Sequence, residues 1–277
     1  MMKFAAKELE LARDQLYRNI VDYFVDRKGI MALYLQGSVA ENSADEFSDL
    51  DFRVVVELEA YQKYIAERFD APKRWGDWIY NEWAGSGVCV SHFKPFNKVD
   101  VLYFHPEQIK PSAWFQLPTK VIYDSNNLIQ KVVRDSQEQD FDISTTGEIE
   151  RLISKGLAYS EEVYRRVTRG ELCYAQSQLD SLRSVLIQFD DYLHQDLVSS
   201  GFGSPAHFEQ RGSKALVEVL KLSYSSMDRW SILQALNILL EHYKIQVEQL
   251  YQKFPLKRSL DTDLQWIEVI LELSNSH

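Results

Sequence analysis

Cysteine is nearly absent. Two residues, Cys89 and Cys173, lie far apart in a chain of 277. Two lone thiols build no disulfide framework, and neither sits in a metal-spaced cluster. They read as reduced thiols in a cytosolic protein. The histidines form no H-x-x-H pattern, which argues against a zinc site. No apolar run approaches the roughly 20 residues of a membrane span. The opening "MMKFAAKELELARDQLYRNI" lacks the apolar centre of a secretory signal. A cytoplasmic location with no membrane partner is therefore expected. Positive charge is also short: 31 Lys and Arg against 41 Asp and Glu give a net charge of −10. That argues against a duplex nucleic acid partner, although a local basic channel stays open. An acidic surface suits a cationic substrate, and it serves solubility equally well.

What is present supports packed cores. Hydrophobic residues make up 45% of the chain and aromatics 13%. The length suits two domains at about 100–200 residues each. Leu9, Leu16, Ile20 and Phe24 recur at helical spacing and predict an amphipathic opening helix. "MALYLQ" and "LDFRVVVE" read as strands, with "AYQKYIAERF" as a helix after them. "DWIYNEW", "VCVSHFK" and "KVDVLYF" read as a three-stranded meander. Past residue 125 the period becomes helical. The stripes are Ile149–Leu157, Leu172–Leu186 and Leu233–Phe254, with a long loop expected at "SSGFGSPAHFEQRGS". The expectation is an α+β protein. A mixed sheet with helices occupies residues 1–140 and a helical bundle residues 141–277, with the change-over near 135–147.

The chemistry concentrates in "LYLQGSVAENSADEFSDLDFRVVVE". Residues two apart on a strand share a face, so Asp49 and Asp51 aim together. Two carboxylates at that spacing repel unless a cation lies between them, and hard oxygen ligands suit Mg²⁺. Upstream, Gly37 allows close backbone approach to a ligand. The Ser38 hydroxyl and nearby amides can donate to phosphate, helped by a short helix starting near Ser38. An EF-hand is the rival reading of the acidic run. It fails because the required glycine is missing and a β-branched strand follows instead of a helix. Two-metal phosphoryl chemistry needs a further carboxylate, and Asp100 in "KVDVLYF" supplies one if strand pairing brings it alongside.

Together, "LQGSVAENSADEFSDLDFRVVV" and "KVDVLYF" resemble the nucleotidyltransferases of the DNA polymerase beta superfamily. "ADEFSDLD" is similar to the aminoglycoside adenylyltransferases, the streptomycin-modifying type among them, and to the lincosamide nucleotidyltransferases. The resemblance implies a nucleotidyltransferase domain followed by a helical domain that closes over the cleft. Gly37 and Ser38 would hold a nucleoside triphosphate. Asp49 and Asp51 would bind two Mg²⁺ ions, and Asp100 would bind the second or take the acceptor proton. A hydroxyl of a small acceptor, an aminoglycoside- or lincosamide-like antibiotic, would attack the α-phosphate of ATP in line, and pyrophosphate would leave. Many of these enzymes follow Gly-Ser with Arg, whereas Val39 stands here, a departure from the streptomycin subgroup. Two other readings remain: a toxin–antitoxin type enzyme that modifies protein or RNA, and a nucleotide-sensing module without transfer activity. The intact acidic triad argues against the last.

Two more groups are candidates. In "RWGDWIYNEWAGSG", alternation predicts that Trp78, Tyr80 and Glu82 share a face. They form either an acceptor wall, with Glu82 meeting a cationic group, or aromatic core. Arg183, beside Glu171 and Tyr174, either reaches nucleotide phosphates, as basic residues of the helical domain do in similar enzymes, or pairs with Asp180 one helical turn away.

Overall fold

The computed structural model describes residues 5–82, 85–141, 145–194 and 202–276. Trp83, part of the aromatic stretch, and residues 142–144, within the expected change-over, lie outside the described residues. The chain divides into two compact units, Met1–Phe141 and Asp142–His277.

Among its described residues the first unit holds six strands: β1 (Ile30–Gln36), β2 (Leu50–Val56), β3 (Trp78–Glu82), β4 (Val88–Phe93), β5 (Asn97–Phe104) and β6 (Lys120–Asp124). They form one mixed sheet in the order β3-β4-β5-β2-β1-β6. The β3-β4-β5 meander is antiparallel, and β2 and β5 run parallel in the middle. Helices α1 (Ala6–Val25) and α3 (Leu58–Glu67) belong to the core on one face. There Leu16, Ile20 and Phe24 of α1 pack with Phe52, Val54, Val101 and the fully buried Trp75. The other face is covered differently. Helix α4 (Leu128–Gln137) and the segment after β5 bring Ile129, Val132, Ile109 and Phe115 onto Ala32, Tyr34 and Val55. The sequence reading passed over β6 and α4. Asp124 joins them, because its carboxylate accepts from the amides of Leu128, Ile129 and Gln130 at 2.8, 2.9 and 3.0 Å. Those three donors have no partner within the first turn of a helix, so the cap fixes where α4 begins.

The second unit is helical: α5 (Thr146–Thr168), α6 (Leu172–His194), α7 (Phe208–Arg211), α8 (Lys214–Leu222), α9 (Arg229–Lys253) and α10 (Leu260–Asn275). The three long stripes fall on α5, α6 and α9 and form one core. The one-turn α7 sits inside the stretch expected to be loop. No described helix is long and apolar enough to cross a membrane.

Gly156 sets how closely α5 meets α9. A Cβ there would lie 2.4 Å from the ring of Tyr243. That ring is fully buried, stacks on Phe189, and donates its hydroxyl to the Ile153 carbonyl at 2.6 Å. It has little room to retreat. Gly156→Ala should lower stability by about 1–3 kcal/mol through overpacking, despite the roughly 1 kcal/mol gained in helix propensity. A thermal melt that rises on this substitution would contradict the packing described.

Candidate active site

The parallel pairing of β2 and β5 builds the site. Its register sets Asp51 beside Asp100, and Gln36 of β1 is the partner of Asp51 on the other side. Val90 is the partner of Asp100, and Glu82 the partner of Val90. One row thus crosses five strands: Glu82, Val90, Asp100, Asp51, Gln36. Apolar neighbours Leu50, Phe52, Val99 and Val101 point into the opposite core and are buried. Alternation on both strands therefore puts the two carboxylates on the other face, as period two requires.

Gly37 makes room for them. Its φ is 74°, a left-handed conformation that favours glycine. A Cβ there would stand 2.6 Å from Asp51 Oδ2, so no side chain fits without moving the carboxylate. Helix α2 (Ser38–Glu41) follows as a single turn, with the amides of Ala40 and Glu41 on the Gly37 carbonyl at 2.9 and 3.0 Å. Val39, one residue past Ser38, packs against the sheet core and is not spare for a phosphate. The acidic loop is held by Asp45, whose carboxylate accepts from Phe47 N at 3.0 Å and Ser48 Oγ at 2.9 Å. Arg13 donates to the Asp45 carbonyl.

A lysine that the sequence reading missed completes the charge pattern. Lys98 Nζ lies 2.6 Å from Asp49 Oδ2 and 3.3 Å from Asp100 Oδ2. One ammonium thus ties the loop carboxylate to the strand carboxylate. Arg53 stands on the far side, 3.9 Å from Asp51 Oδ1. Both were legible as alternate positions: Lys98 is two before Asp100, and Arg53 two after Asp51. Burial pushes Asp51 up to about 6; Arg53 opposes the rise, and the like charges of Asp49 and Asp100 add to it. Burial also raises Asp100, against the pull of Lys98. Burial by itself would lower Lys98, but its hydrogen bond to Asp49 and the charges of Asp100 and Asp49 outweigh that and lift it to about 12.

As the side chains stand, no three His, Cys, Asp or Glu among the described residues form a group that could hold a metal ion. The Lys98 ammonium occupies the space between two of the acids. Even so, the residues fit a hard divalent cation. Asp100 Oδ1 is buried with no hydrogen-bond partner. Three carboxylates face two cationic side chains, an imbalance that favours binding a further cation.

The aromatic wall expected on β3 is split. A register shift between Trp78 and Tyr80 breaks the alternation, as a bulge does. Trp78 packs on the core and donates its indole N–H to Asn81 Oδ1 at 2.8 Å. Tyr80 and Glu82 stay on the acidic face. Tyr80 stacks on His92 with ring centroids 4.3 Å apart, and His92 Nε2 meets Glu82 Oε1 at 2.5 Å. His92 is in turn the register partner of Lys98. Arg183 lies in the other unit, with a buried guanidinium. It donates to Asp180 Oδ1 at 2.6 Å and Ser223 Oγ at 2.9 Å, and also to the Ser223 carbonyl. It pairs with Asp180 and holds the C-terminal end of α8.

Among solved structures, the chain is similar to an aminoglycoside 6-adenyltransferase from Bacillus subtilis. Identity is 11%, coverage 99% of this chain and 98% of that one, and the TM-score 0.45. A nucleotidyltransferase-like protein from Exiguobacterium sibiricum matches at 12% identity, 87% and 76% coverage, and TM-score 0.42. A cyclic dinucleotide synthase from Elizabethkingia meningoseptica matches at 13% identity, 96% and 97% coverage, and TM-score 0.30. No curated protein sequence matches. The sequence pattern of one family does: the streptomycin adenylyltransferase model matches residues 12–268, through both units. By that match the protein belongs to the streptomycin adenylyltransferase family and is a nucleotidyltransferase.

Proposed function

We propose that the protein moves AMP from ATP to a hydroxyl of a small, cationic, aminoglycoside-like acceptor, with Mg²⁺ held by Asp49, Asp51 and Asp100. The observation that carries this reading is the pairing of Asp51 on β2 with Asp100 on β5, with the Lys98 ammonium between Asp100 and Asp49 of the loop before β2. We assign the reaction to the cytosol, since Cys89 and Cys173 are both free thiols.

Gly37 and Ser38 hold the β- and γ-phosphates in this reading. When bound, Mg²⁺ supplies positive charge to the phosphate oxygens and orients the α-phosphate. The acceptor oxygen bonds to the α-phosphorus as the bond to the bridging oxygen of pyrophosphate breaks, and pyrophosphate leaves with that electron pair. The acceptor proton passes to the Asp100 carboxylate. Positioning and charge neutralisation account for the rate. Glu82 is two strands from Asp100, about 10 Å at the usual strand spacing, which suits an ammonium group of the acceptor. Tyr80 adds an exposed aromatic surface beside it.

Incubation with α-labelled ATP, Mg²⁺ and streptomycin or related aminoglycosides should put label on the acceptor and release pyrophosphate. Label found only on protein, or on no acceptor, would contradict the proposed substrate class.

Substituting Asp51 separates metal binding from a structural role. A carboxylate whose folded pKa is raised makes the native state bind protons more tightly than the unfolded state. That stability is present at low pH and lost as pH rises through about 6. Asp51→Asn removes the loss, so the metal-free variant should be more stable than wild type by up to about 3 kcal/mol at pH 8, with a smaller gap at pH 5. It should lose transfer by several orders of magnitude and gain little stability from Mg²⁺-ATP. A variant that melts earlier at pH 8 yet keeps its activity would show the carboxylate to be structural.

A further inference from the structure

Lys98 stands among the acids assigned above to Mg²⁺. Its Nζ lies 2.6 Å from Asp49 Oδ2 and 3.3 Å from Asp100 Oδ2, so it joins the loop before β2 to β5. An ammonium and a divalent cation repel each other, and here both need the same carboxylate oxygens. Metal can enter between Asp49 and Asp100 only by displacing Lys98.

The two cations beside the acids are held differently. Arg53 is anchored on its own strand: its guanidinium donates to the Phe52 carbonyl at 3.2 Å and stays 3.9 Å from Asp51 Oδ1. The Lys98 side chain is 37% exposed and bonds to the two acids. A four-carbon stem with a rotatable ammonium changes partners without moving the backbone. Once displaced, the ammonium needs a new anion, because a partly buried charge without a partner is costly. Glu82 lies across β4, but His92, the register partner of Lys98, already meets it at 2.5 Å. The nucleotide brings the other anion. The function proposed above lays its phosphates from Gly37 over the acids. Gly37 abuts Asp51, Asp51 stands beside Asp100 in register, and Asp100 meets Lys98. A polyphosphate along that line has the ammonium at its end.

From this geometry we infer that Lys98 is an exchangeable counter-ion: its ammonium bars free divalent metal from Asp49 and Asp100, and passes to a phosphate oxygen when metal and nucleotide bind together. The inference rests on the nucleotidyltransferase reading above and deepens it by giving that site a gate. No covalent bond changes; one ion pair is exchanged for another. Free metal gains little where the acids are already paired. Metal that arrives with a nucleotide gains the acids while the ammonium gains a phosphate. Each ligand therefore strengthens the binding of the other by the same factor.

Two titrations of the full chain test this: Mn²⁺ alone, read by the electron paramagnetic resonance of the free ion, and ATP at saturating Mg²⁺, read by calorimetry. Lys98→Met should bind Mn²⁺ alone at least about tenfold more tightly than wild type, the order of one charge-assisted hydrogen bond. The same variant should bind ATP about tenfold more weakly. Lys98→Arg keeps the charge and should exclude Mn²⁺ as wild type does. A third measurement needs no variant: acetylation of Lys98 by an amine-reactive ester, read by mass spectrometry. Saturating Mn²⁺ alone should free the amine and speed its acetylation severalfold, and adding ATP should reverse the gain. If Lys98→Met fails to fold, the acetylation rates decide. Unchanged Mn²⁺ affinity in the folded variant overturns the gate. Tighter Mn²⁺ with unchanged ATP affinity leaves the displaced ammonium on the protein, at Glu82 for example, and overturns the exchange. Weaker binding of both ligands would make Lys98 a structural support, and acetylation indifferent to both also overturns the inference. Wild type that binds neither Mn²⁺ nor ATP overturns the underlying reading as well.

Discussion

Two carboxylates, Asp51 and Asp100, stand side by side on one face of a sheet whose other face is sealed by α1, α3 and Trp75, and Lys98 ties Asp49 of the preceding loop to Asp100. The register that makes them converge, Asp51 against Asp100 on parallel strands, also makes them repel. Lys98 and Arg53 offset part of that repulsion. Burial, with that repulsion added to it, pushes Asp51 up to about 6, and Asp100 Oδ1 has no partner. The fold therefore carries a local concentration of negative charge, which in the function proposed above a divalent cation would neutralise. Gly37 belongs to the same constraint, since its missing side chain is what lets the Asp51 carboxylate stand where it does.

The rest of the first unit follows from where the acids sit. They occupy the two parallel central strands, so each flank of the same face is free to differ. The β3 flank is polar and anionic, with Glu82 on His92 and Tyr80 stacked beside it. The β1 flank is apolar and cationic, with Arg53 and Lys110 at its edges. A transfer enzyme must hold two molecules of unlike chemistry on either side of one phosphorus atom, and this asymmetry provides two unlike surfaces.

Local pattern was enough to read the acidic motif, the strands that carry it and the three long helices. Alternation paired Asp49 with Asp51, whereas β2 begins at Leu50 and Asp49 stands in the loop before it; helical stripes placed Leu9, Leu16, Ile20 and Phe24 in the core. What local pattern misses depends on pairing at a distance. Strand β6 is five residues long and held by β1, and Asp124 defines α4 by capping it. The Trp78 face depended on a register shift that alternation does not contain. Lys98 and Arg53 were visible as alternate positions, but their significance appears only once β5 lies against β2. Arg183 carried two readings, and the one met in the structure is the pair one turn away in its own helix. Val39, a departure from the Gly-Ser-Arg pattern, packs on the core without taking the chain out of the family.

We propose that a divalent cation replaces the Lys98 ammonium between Asp49 and Asp100. Co-crystals with Mn²⁺ and a non-hydrolysable ATP analogue test it directly by anomalous scattering. The expected result is an anomalous peak coordinated by carboxylate oxygens of Asp49, Asp51 and Asp100, with Lys98 Nζ moved out from between Asp49 and Asp100. Mn²⁺ bound elsewhere, with Lys98 still bridging the two acids in the nucleotide complex, would contradict it.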